Sequence, residues 1–318
     1  MSRFLITGGA GFIGSNIAER LIQEGHFVRI LDNFSSGKEE NLDFTKNLGK
    51  DKFELIRGDI TNPEDCNKAC QGMDYVLHQA ALLSVPKSFQ DPLAYHRVNI
   101  DGVLNMLQAS SLHKIKRFVL ASSSSIYGDA INFPEKENDK PLLMSPYALT
   151  KLAGEYYCRI FSEHFGVETV CLRYFNVFGP KQSLADEYAV VVPKFIHCIT
   201  NNQEPPIFGN GLQCRDFTYI DNVISANILS ATTPGLKHEV FNVATGSERT
   251  VLDLATTLNH ILGKNIQPKF LPIRSGDIFK SSADISKVSN TINYKPLIGF
   301  EEGLRRTVKY FQLKWSQQ

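Results

Sequence analysis

Short apolar runs alternate with longer amphipathic segments through the first half of the chain. β-Strands are predicted in FLIT (4–7), FVRILD (27–32), FELIRGD (53–59), YVLH (75–78), RFVLASS (117–123) and TVCLRY (169–174). Amphipathic helices are predicted between them, in GSNIAERLIQEG, PEDCNKACQG, VNIDGVLNMLQASSLH and SPYALTKLAGEYYCRIFSEHFG. This alternation predicts an α/β fold with a doubly wound parallel sheet, covered by helices on both faces.

The pattern changes after residue 173. Turns rich in proline and glycine, such as NNQEPPIFGNGLQ and FLPIRSGD, separate shorter elements there. We therefore expect a first domain over 1–173 and a smaller mixed α/β lobe over 174–318. Residues 215–231 again read as a strand followed by a helix, so we expect 215–245 to return to the first domain and make the second lobe discontinuous.

Composition excludes several classes of protein. The 318 residues carry a net charge of +1 and are 42% apolar, which indicates neither a nucleic-acid surface nor a membrane-binding one. The first apolar run is short and ends in glycines, so it is not read as a signal peptide or an anchor. The six cysteines form no CxxC pair and have no histidine at zinc-site spacing. We expect reduced thiols, no metal and a cytoplasmic location.

The first predicted strand leads into a glycine-rich turn. Gly9-x-Gly11-x-x-Gly14 opens the next helix, and Gly8 adds a second register of the same spacing. Glycines here let backbone N–H groups approach a pyrophosphate at the positive end of that helix. The next strand ends at Asp32, whose carboxylate suits the ribose hydroxyls of NAD and repels the 2′-phosphate of NADP. Together these features predict a Rossmann-type NAD-binding domain.

A second motif lies in SPYALTK (145–151). Ser145 and Pro146 are suited to the N-cap and the first position of a helix. Tyr147 and Lys151 then lie four residues apart on one helix face. An ammonium near a phenol lowers its pKa, so we expect Tyr147 to act as a base on a substrate hydroxyl. Ser123, at the end of the strand RFVLASS, is expected to hydrogen-bond that hydroxyl as well.

The motifs together resemble the extended short-chain dehydrogenase/reductases, in the branch of NAD-dependent epimerases and dehydratases. LDNFSSG, RGDI, HQAA, SSSSIYGD, SPYALTK, LRYFNVFGP, RDFTYIDNV and RSGD occur in that family's order over nearly the whole chain. The resemblance implies that Ser123, Tyr147 and Lys151 are catalytic. It also implies NAD contacts from Gly8, Gly11, Phe12, Ile13, Gly14, Asp32, Asn33, Ser36, Gly37, Asp59, Ile60, Gln79, Ala80, Ala81, Asn99, Tyr147 and Lys151. His78 is expected to be structural, and Leu83 replaces a lysine that often reaches the pyrophosphate in hexose epimerases.

The resemblance also narrows the reaction. Family dehydratases and decarboxylases carry carboxylates next to the catalytic serine or threonine, where this chain has Ser124 and Ser125. Without them, the family resemblance favours 4-epimerisation of a UDP-sugar through a transient 4-keto intermediate. It implies substrate contacts from Ser84, Val85, Ser123, Ser124, Ser125, Tyr147, Asn176, Val192, Phe208, Arg215, Arg274, Asp277 and Ser281.

Ser281 bears on which sugar is bound. In the family, the residue four after the RxGD aspartate flanks the C2 substituent, and a tyrosine there excludes an N-acetyl group. Serine favours UDP-GlcNAc and UDP-GalNAc, with UDP-Glc and UDP-Gal tolerated. Ser281 could instead be a helix N-cap, and Arg215 and Asp216 a surface ion pair.

Three other functions stay open. A UDP-glucuronate 4-epimerase shares the SSSS strand, although it usually has threonine in place of Asn176. A non-catalytic NAD-binding regulator usually loses the tyrosine or the lysine, and both are present here. A net dehydrogenase would release NADH. Family members are often homodimers through helices near 93–112 and 146–165, so we expect a homodimer.

Overall fold

The computed structural model describes residues 1–184, 191–273 and 278–316. Fourteen strands are assigned within this part of the chain. They are β1 (Arg3–Thr7), β2 (Phe27–Asp32), β3 (Phe53–Arg57), β4 (Tyr75–His78), β5 (Arg117–Ser123), β6 (Thr169–Tyr174), β7 (Val177–Phe178), β8 (Pro206–Phe208), β9 (Cys214–Asp216), β10 (Thr218–Tyr219), β11 (His238–Val243), β12 (Glu248–Thr250), β13 (Lys269–Leu271) and β14 (Lys280–Ser281).

Eleven α-helices lie in the same described residues. They are α1 (Phe12–Gln23), α2 (Pro63–Cys70), α3 (Val85–Gln90), α4 (Pro92–His96), α5 (Gly102–Leu112), α6 (Pro146–His164), α7 (Val191–Thr200), α8 (Ile220–Thr232), α9 (Val251–Leu262), α10 (Ser286–Ile292) and α11 (Phe300–Trp315). None of the helices in the described residues is long and apolar enough to span a bilayer.

Seven strands form the main sheet, in the order β11-β6-β5-β4-β1-β2-β3. The pairings that join β3, β2, β1, β4 and β5 are parallel. This is the strand order of a doubly wound dinucleotide-binding sheet, and the order reverses between β1 and β4. The predicted fold class, a Rossmann-type parallel sheet with flanking helices, is confirmed.

The sheet strands are apolar because helices cover both faces. β1 and β2 are buried almost from end to end, with Leu5, Val28 and Ile30 fully inaccessible to solvent. Leu5 and Val76 from the strands pack with Met106 and Cys158 from α5 and α6 in one core cluster. Continuous apolar strands of this kind indicate a parallel sheet rather than a half-exposed antiparallel one.

The described chain divides into two compact units. The first comprises 1–126, 145–173 and 224–241, and it contains most of the seven-stranded sheet. The second comprises 127–144, 174–223 and 242–318. It contains a three-stranded sheet in the order β12-β9-β14 and two strand pairs, β10-β7 and β13-β8. The division of function between 1–173 with 215–245 and 174–318 stays a prediction.

One helix differs from its predicted form. The pattern predicts a continuous helix from Val98, but Arg97–Asp101 forms a π-helical turn before α5 begins at Gly102. A π turn admits one extra residue per turn and turns a side chain away from the regular helical position. Asn99 lies in this turn and is buried, and it is one of the predicted cofactor residues.

Candidate active site

The glycine loop after β1 packs tightly against neighbouring backbone at Gly8 and Gly14. Gly8 has a φ of +66°, and a Cβ there would lie 2.8 Å from the backbone of Ala80. A Cβ on Gly14 would lie 2.3 Å from the carbonyl oxygen of Gly8. Only glycine fits at either position, because in both cases the obstructing atoms belong to the backbone.

The same loop is open at Gly11. This residue is the N-cap of α1, no side chain caps the helix there, and a Cβ would meet only the Gly8 oxygen, at 3.2 Å. Phe12 and Ile13 begin the helix and are half-buried. The first amides of α1 are therefore left for an anion, as a pyrophosphate requires.

Asp32 lies at the end of β2, with its side chain buried. Oδ2 accepts a hydrogen bond from the Ala10 N–H at 2.8 Å, and Oδ1 accepts one from the Phe34 N–H at 2.7 Å. These bonds fix the orientation of the carboxylate, and each oxygen retains a lone pair for a hydroxyl donor. Gly37 packs closely on the same group, since a Cβ there would lie 2.9 Å from Oδ1. Ser36 is exposed in the intervening loop.

Asp59 and Ile60 follow β3. The Asn33 amide donates to Asp59 Oδ2 at 2.8 Å, and Thr61 donates to Asp59 Oδ1. Burial raises the pKa of the Asp59 carboxyl, but these hydrogen bonds outweigh it and the pKa is lowered overall. Ile60 is buried.

The segment Gln79–Ala81 follows β4. The Gln79 amide donates to Asn227 Oδ1 at 3.0 Å, and Ala80 donates its N–H to Thr7 Oγ1 at 3.2 Å. All of these predicted cofactor residues thus follow the carboxyl ends of β1 to β4, at the edge where such sheets bind nucleotides. The open glycine loop and the fixed Asp32 carboxylate fit NAD, with donors for the pyrophosphate and an acceptor for the ribose.

Asn99 ties the loop after β4 to α6. Its Oδ1 accepts the Leu82 N–H at 2.8 Å, and its Nδ2 donates to the Leu82 carbonyl at 3.0 Å and to Thr150 Oγ1 at 3.1 Å. The sequence did not predict this tie, because it joins residues 17 and 51 positions apart in the chain. The cofactor contact proposed for Asn99 stays a prediction.

The residues around Ser84 lie beside Tyr147, the predicted base. Ser84 caps α3 by accepting the Lys87 N–H, and its carbonyl accepts the Tyr95 hydroxyl at 2.6 Å. The Tyr95 ring packs edge-on against Tyr147, with 6.4 Å between ring centroids. Val85 begins α3 and is exposed.

The predicted catalytic residues come together at the start of α6. Ser145 caps the helix by accepting the Ala148 N–H at 3.1 Å, and Pro146 is the first helical residue, as expected. The Ser123 hydroxyl, at the end of β5, lowers the pKa of the Tyr147 phenol. Lys151 Nζ lies 5.8 Å from the centroid of the Tyr147 ring.

Hydrogen bonds to the end of β5 fix these side chains. Lys151 donates to the carbonyl of Ala121 at 2.8 Å. Ser123 Oγ accepts the Ser125 N–H at 3.1 Å. Ser124 and Ser125 form a 3₁₀ turn directly after the strand and are partly buried. The Ser123 hydroxyl is therefore oriented by the turn that follows it.

The prediction that the pKa of Tyr147 is lowered is wrong for the protein without bound ligands. Burial raises the pKa of the Tyr147 phenol to about 12, and the hydrogen bond to Ser123 opposes that rise. Burial lowers the pKa of the Lys151 ammonium to about 8. Both shifts have the same cause, since removing a side chain from water disfavours its charged form.

His78 is a neutral structural residue at the end of β4. Its Nδ1 is hydrogen-bonded to Thr7 Oγ1 at 2.9 Å, while Nε2 is buried without a partner in the described part of the chain. Burial and the charge of Lys151 lower the pKa of His78 to about 3. It is therefore uncharged at neutral pH.

The second unit holds the remaining predicted substrate residues. Asn176 has a φ of +34°, and its amide donates to the Asp216 carbonyl at 3.3 Å. Val192 is buried in α7, and Phe208 ends β8 and is half-buried. Arg274 and Asp277 lie outside the described residues.

Arg215 and Asp216 are not a surface ion pair. Asp216 is fully buried and accepts hydrogen bonds from the backbone N–H groups of Thr245, Gly246 and Ser247. The Arg215 guanidinium donates to backbone carbonyls, including that of Ile278 at 2.5 Å. Each side chain therefore fixes a different segment of the second unit.

Ser281 is not a helix N-cap. It is a buried residue of β14 and lies opposite Arg215 in the parallel pairing of β14 with β9. The next helix, α10, begins only at Ser286. The structure thus places two predicted substrate residues next to each other that are far apart in the sequence.

Comparison with known proteins identifies the family of the chain. Residues 4–244 match the model of the NAD dependent epimerase/dehydratase family. UDP-glucose 4-epimerase of Mycolicibacterium smegmatis is 33% identical over 98% of this chain and 99% of its own. UDP-N-acetylglucosamine 4-epimerase from Methanobrevibacter ruminantium M1, solved with UDP-N-acetylmuramic acid, is 43% identical with a TM-score of 0.93, covering 98% of this chain and 99% of its own.

A third relative was solved with its cofactor. UDP-glucuronic acid 4-epimerase from Bacillus cereus, in complex with UDP-glucuronic acid and NAD, is 32% identical with a TM-score of 0.90 and covers 98% of this chain and 99% of its own. The chain belongs to the NAD dependent epimerase/dehydratase family. The family, the enzyme class of NAD-dependent sugar-nucleotide 4-epimerases and NAD as the cofactor, all predicted from the sequence, are confirmed.

Proposed function

We propose that this enzyme interconverts UDP-GlcNAc and UDP-GalNAc at C4, and that it also accepts UDP-Glc and UDP-Gal. The observation that carries the proposal is the grouping of Ser123, Tyr147 and Lys151, in which the Ser123 hydroxyl lowers the pKa of the Tyr147 phenol and Lys151 Nζ lies 5.8 Å from the centroid of the phenol ring. It lies in the same unit as the open glycine loop and the fixed Asp32 carboxylate. An acid/base pair and a dinucleotide site are what a 4-epimerase needs in its chemical step.

The chain's own residues would hold and move one proton. Tyr147 takes the proton of the C4 hydroxyl and later returns it, and Ser123 hydrogen-bonds the same oxygen. Lys151, buried and bonded to the Ala121 carbonyl, places a positive charge near the Tyr147 ring. NAD, when bound, accepts a hydride from C4 and gives it back, so the sugar passes through a 4-keto form. Turning of that keto sugar within the site inverts C4.

The serines after Ser123 support epimerisation over elimination. A dehydratase needs a carboxyl group to move a proton at the neighbouring carbon. Ser124 and Ser125 occupy the 3₁₀ turn where such a group would stand. Their hydroxyls can hydrogen-bond a sugar, but they are too weakly acidic to replace a carboxyl group near neutral pH.

Ser281 supports an N-acetylated sugar. It is buried in β14, where a bulkier side chain would take up space beside Arg215. The relative with 43% identity is named as a UDP-N-acetylglucosamine 4-epimerase, which agrees with this choice. We assign the uridine and the diphosphate to Asn176, Arg215, Arg274 and Asp277 together, with Val192 and Phe208 as apolar contacts. The fixed guanidinium of Arg215 is suited to such a role because less freedom is lost on binding.

UDP-glucuronate is the second candidate substrate. The Bacillus cereus relative is a UDP-glucuronic acid 4-epimerase with nearly the same fold. A regulator without turnover is disfavoured, since Tyr147 and Lys151 are both present and positioned.

We also propose a cytoplasmic homodimer. Leu149, Tyr156 and Ile160 of α6 are exposed, at spacings of seven and four residues that place them along one stripe. Leu93 and Leu112 are exposed on the neighbouring α4 and near the end of α5. A second copy of the chain would cover these side chains. Light scattering of the purified protein tests whether it is a dimer. Six free thiols fit a reducing compartment.

The substrate assignment is tested by separate incubation with UDP-GlcNAc, UDP-Glc and UDP-glucuronate, reading the configuration at C4 by NMR. We expect UDP-GalNAc from the first at the highest kcat/KM, and UDP-Gal more slowly from the second. Turnover of UDP-glucuronate alone would replace our substrate with the second candidate. Inversion of none of the three would contradict the proposed activity.

A further inference from the structure

Two neighbouring residues at the end of β5 are hydrogen-bonded to α6, and a third acts on a side chain of the same helix. Lys151 donates to the carbonyl of Ala121, Glu155 accepts from the hydroxyl of Ser122, and the Ser123 hydroxyl lowers the pKa of the Tyr147 phenol. Tyr147, Lys151 and Glu155 are spaced four residues apart, so they form one stripe along the helix. Tyr147 and Lys151 take part in the proposed catalysis, whereas the hydrogen bonds and ion pair of Glu155 go to other residues.

Glu155 is itself held by Arg173 from the adjacent strand β6. Arg173 Nε donates to Glu155 Oε1 at 2.9 Å, and its NH2 nitrogen donates to Oε2 at 2.8 Å. Ser122 Oγ donates to Oε1 at 2.5 Å. Each side chain of the ion pair is only 5% exposed. The carboxylate thus joins two strands and one helix through bidentate, charge-assisted bonds.

We propose that Glu155 is a positioning residue, which sets the rotation of α6 so that the Tyr147 phenol reaches Ser123. The inference rests on the proposed function, since it gives Tyr147 the part of the base. It goes further by assigning a role in turnover to Glu155, Arg173 and Ser122.

The geometry explains why this contact controls the site. A helix rises about 1.5 Å and turns about 100° per residue, so a rotation at Glu155 is carried two turns along to Tyr147. The bonds of Glu155 resist such rotation because its partners lie on two different strands. Misplacing a catalytic group by ~1 Å can cost about 100-fold in rate. A residue that fixes the rotation of α6 about its axis therefore affects kcat rather than substrate binding.

The first experiment compares two variants with the NAD-loaded wild-type enzyme. Glu155→Gln keeps the shape of the side chain but loses its charge, and we expect kcat to fall about 10- to 100-fold. The KM for the UDP-sugar and the NAD content should stay at wild-type values. Ser122→Ala removes one hydrogen bond and leaves the ion pair, so it should fold well and lower kcat by a smaller factor. If Glu155→Gln fails to fold, the kcat of Ser122→Ala alone tests the proposal.

A matched control separates positioning from general stability. Arg117, also in β5, is nearly buried and pairs with Glu168 at 2.8 Å. Glu168→Gln breaks this pair near the other end of the strand, and we expect kcat to remain unchanged. Wild-type kcat in both Glu155→Gln and Ser122→Ala would overturn the proposal. An equal loss of kcat in Glu168→Gln would do the same.

A structural readout keeps this test apart from the proposed function. Crystal structures of the wild type and Glu155→Gln give the distance between Tyr147 Oη and Ser123 Oγ without any substrate. We expect this distance to lengthen in the variant and to keep its wild-type value in Glu168→Gln. An unchanged distance in Glu155→Gln overturns the positioning role even if the wild type inverts none of the sugars tested. A lengthened distance supports it in either case.

Discussion

The Ser123 hydroxyl lowers the pKa of the Tyr147 phenol, which burial nevertheless raises from 10.0 to about 12. The two residues come from different elements, the start of α6 and the end of β5. Tyr147 is a base only in its ionised form, so every group that favours the phenolate favours turnover at neutral pH. In the proposed mechanism, Ser123 would therefore assist the base as well as bind the sugar.

Replacing Ser123 tests that relationship. In Ser123→Ala, the pKa of Tyr147 should rise further because the hydrogen bond that lowers it is gone. Below that pKa, each added unit leaves about tenfold less phenolate, so kcat at pH 7 should fall by that factor or more. Because the pKa of Tyr147 is already about 12, the loss should be nearly constant from pH 6 to 10, where both enzymes are below their pKa values, and kcat measured over that range gives it. A raised KM with unchanged kcat would mean that Ser123 acts only on substrate binding.

Gly14 should be needed for cofactor binding. Gly14→Ala would place a methyl group 2.3 Å from the Gly8 carbonyl oxygen, and the loop must open to relieve that contact. We expect at least a tenfold loss in NAD affinity, about 1.4 kcal/mol, measured by calorimetry on the apoprotein. Gly299→Ala is the control, since a Cβ there meets nothing within 4 Å. Equal affinity in the two variants would remove the glycine loop from the cofactor site.

Ser281 should decide whether an acetamido group is accepted. In Ser281→Tyr, turnover of UDP-GlcNAc should fall by at least about 100-fold while that of UDP-Gal is kept, because the added ring takes up the space of the acetamido group. Ser281→Ala is the matched control and should keep both activities. Measurements of kcat/KM with the two sugars give the ratio. Unchanged turnover of UDP-GlcNAc by Ser281→Tyr would place the sugar elsewhere.

Glu135 should give the second unit a pH-dependent stability. Burial, supported by the charges of Asp216 and Asp139, raises the pKa of this carboxyl from 4.5 to about 7. Between these values the folded chain holds a proton that the unfolded chain releases, so this contribution is full below pH 4.5 and is lost as pH rises to about 7.

Glu135→Gln should remove this dependence of the stability on pH. The glutamine oxygen can still accept the Ser282 N–H that Glu135 accepts at 2.6 Å, so the fold should be kept. Urea unfolding midpoints from pH 4.5 to 8 give the comparison. The difference between wild type and variant should change steadily over this range. A constant difference would show that Glu135 does not titrate there.

The sequence predicted what depends on neighbouring residues. The Ser145 cap and the spacing of Tyr147 and Lys151 follow from local patterns, and the structure has them, whereas the strand predicted over 53–59 ends at Arg57. The pairing of Ser281 with Arg215 could not be predicted, because serine before a polar segment suits a helix cap equally well. The pKa of Tyr147 could not be predicted either, since it depends on burial by distant parts of the chain.

Glu155 carried a signal that could have been used. It continues the stripe of Tyr147 and Lys151 along α6, where a charged side chain is unexpected on a buried face. The sequence does not say that Arg173, on a separate strand, is its partner. Contacts between elements of this kind are fixed only by the packed fold.

The most direct test of the account is the reaction of wild-type enzyme with UDP-GlcNAc in D₂O, followed by proton NMR. We expect UDP-GalNAc to form with its C4 hydrogen retained, because that hydrogen leaves and returns as a hydride while only the hydroxyl proton exchanges with Tyr147. Tyr147→Phe should keep NAD bound and lose turnover by about 100-fold or more. Deuterium at C4 of the product, or wild-type turnover in Tyr147→Phe, would contradict the account.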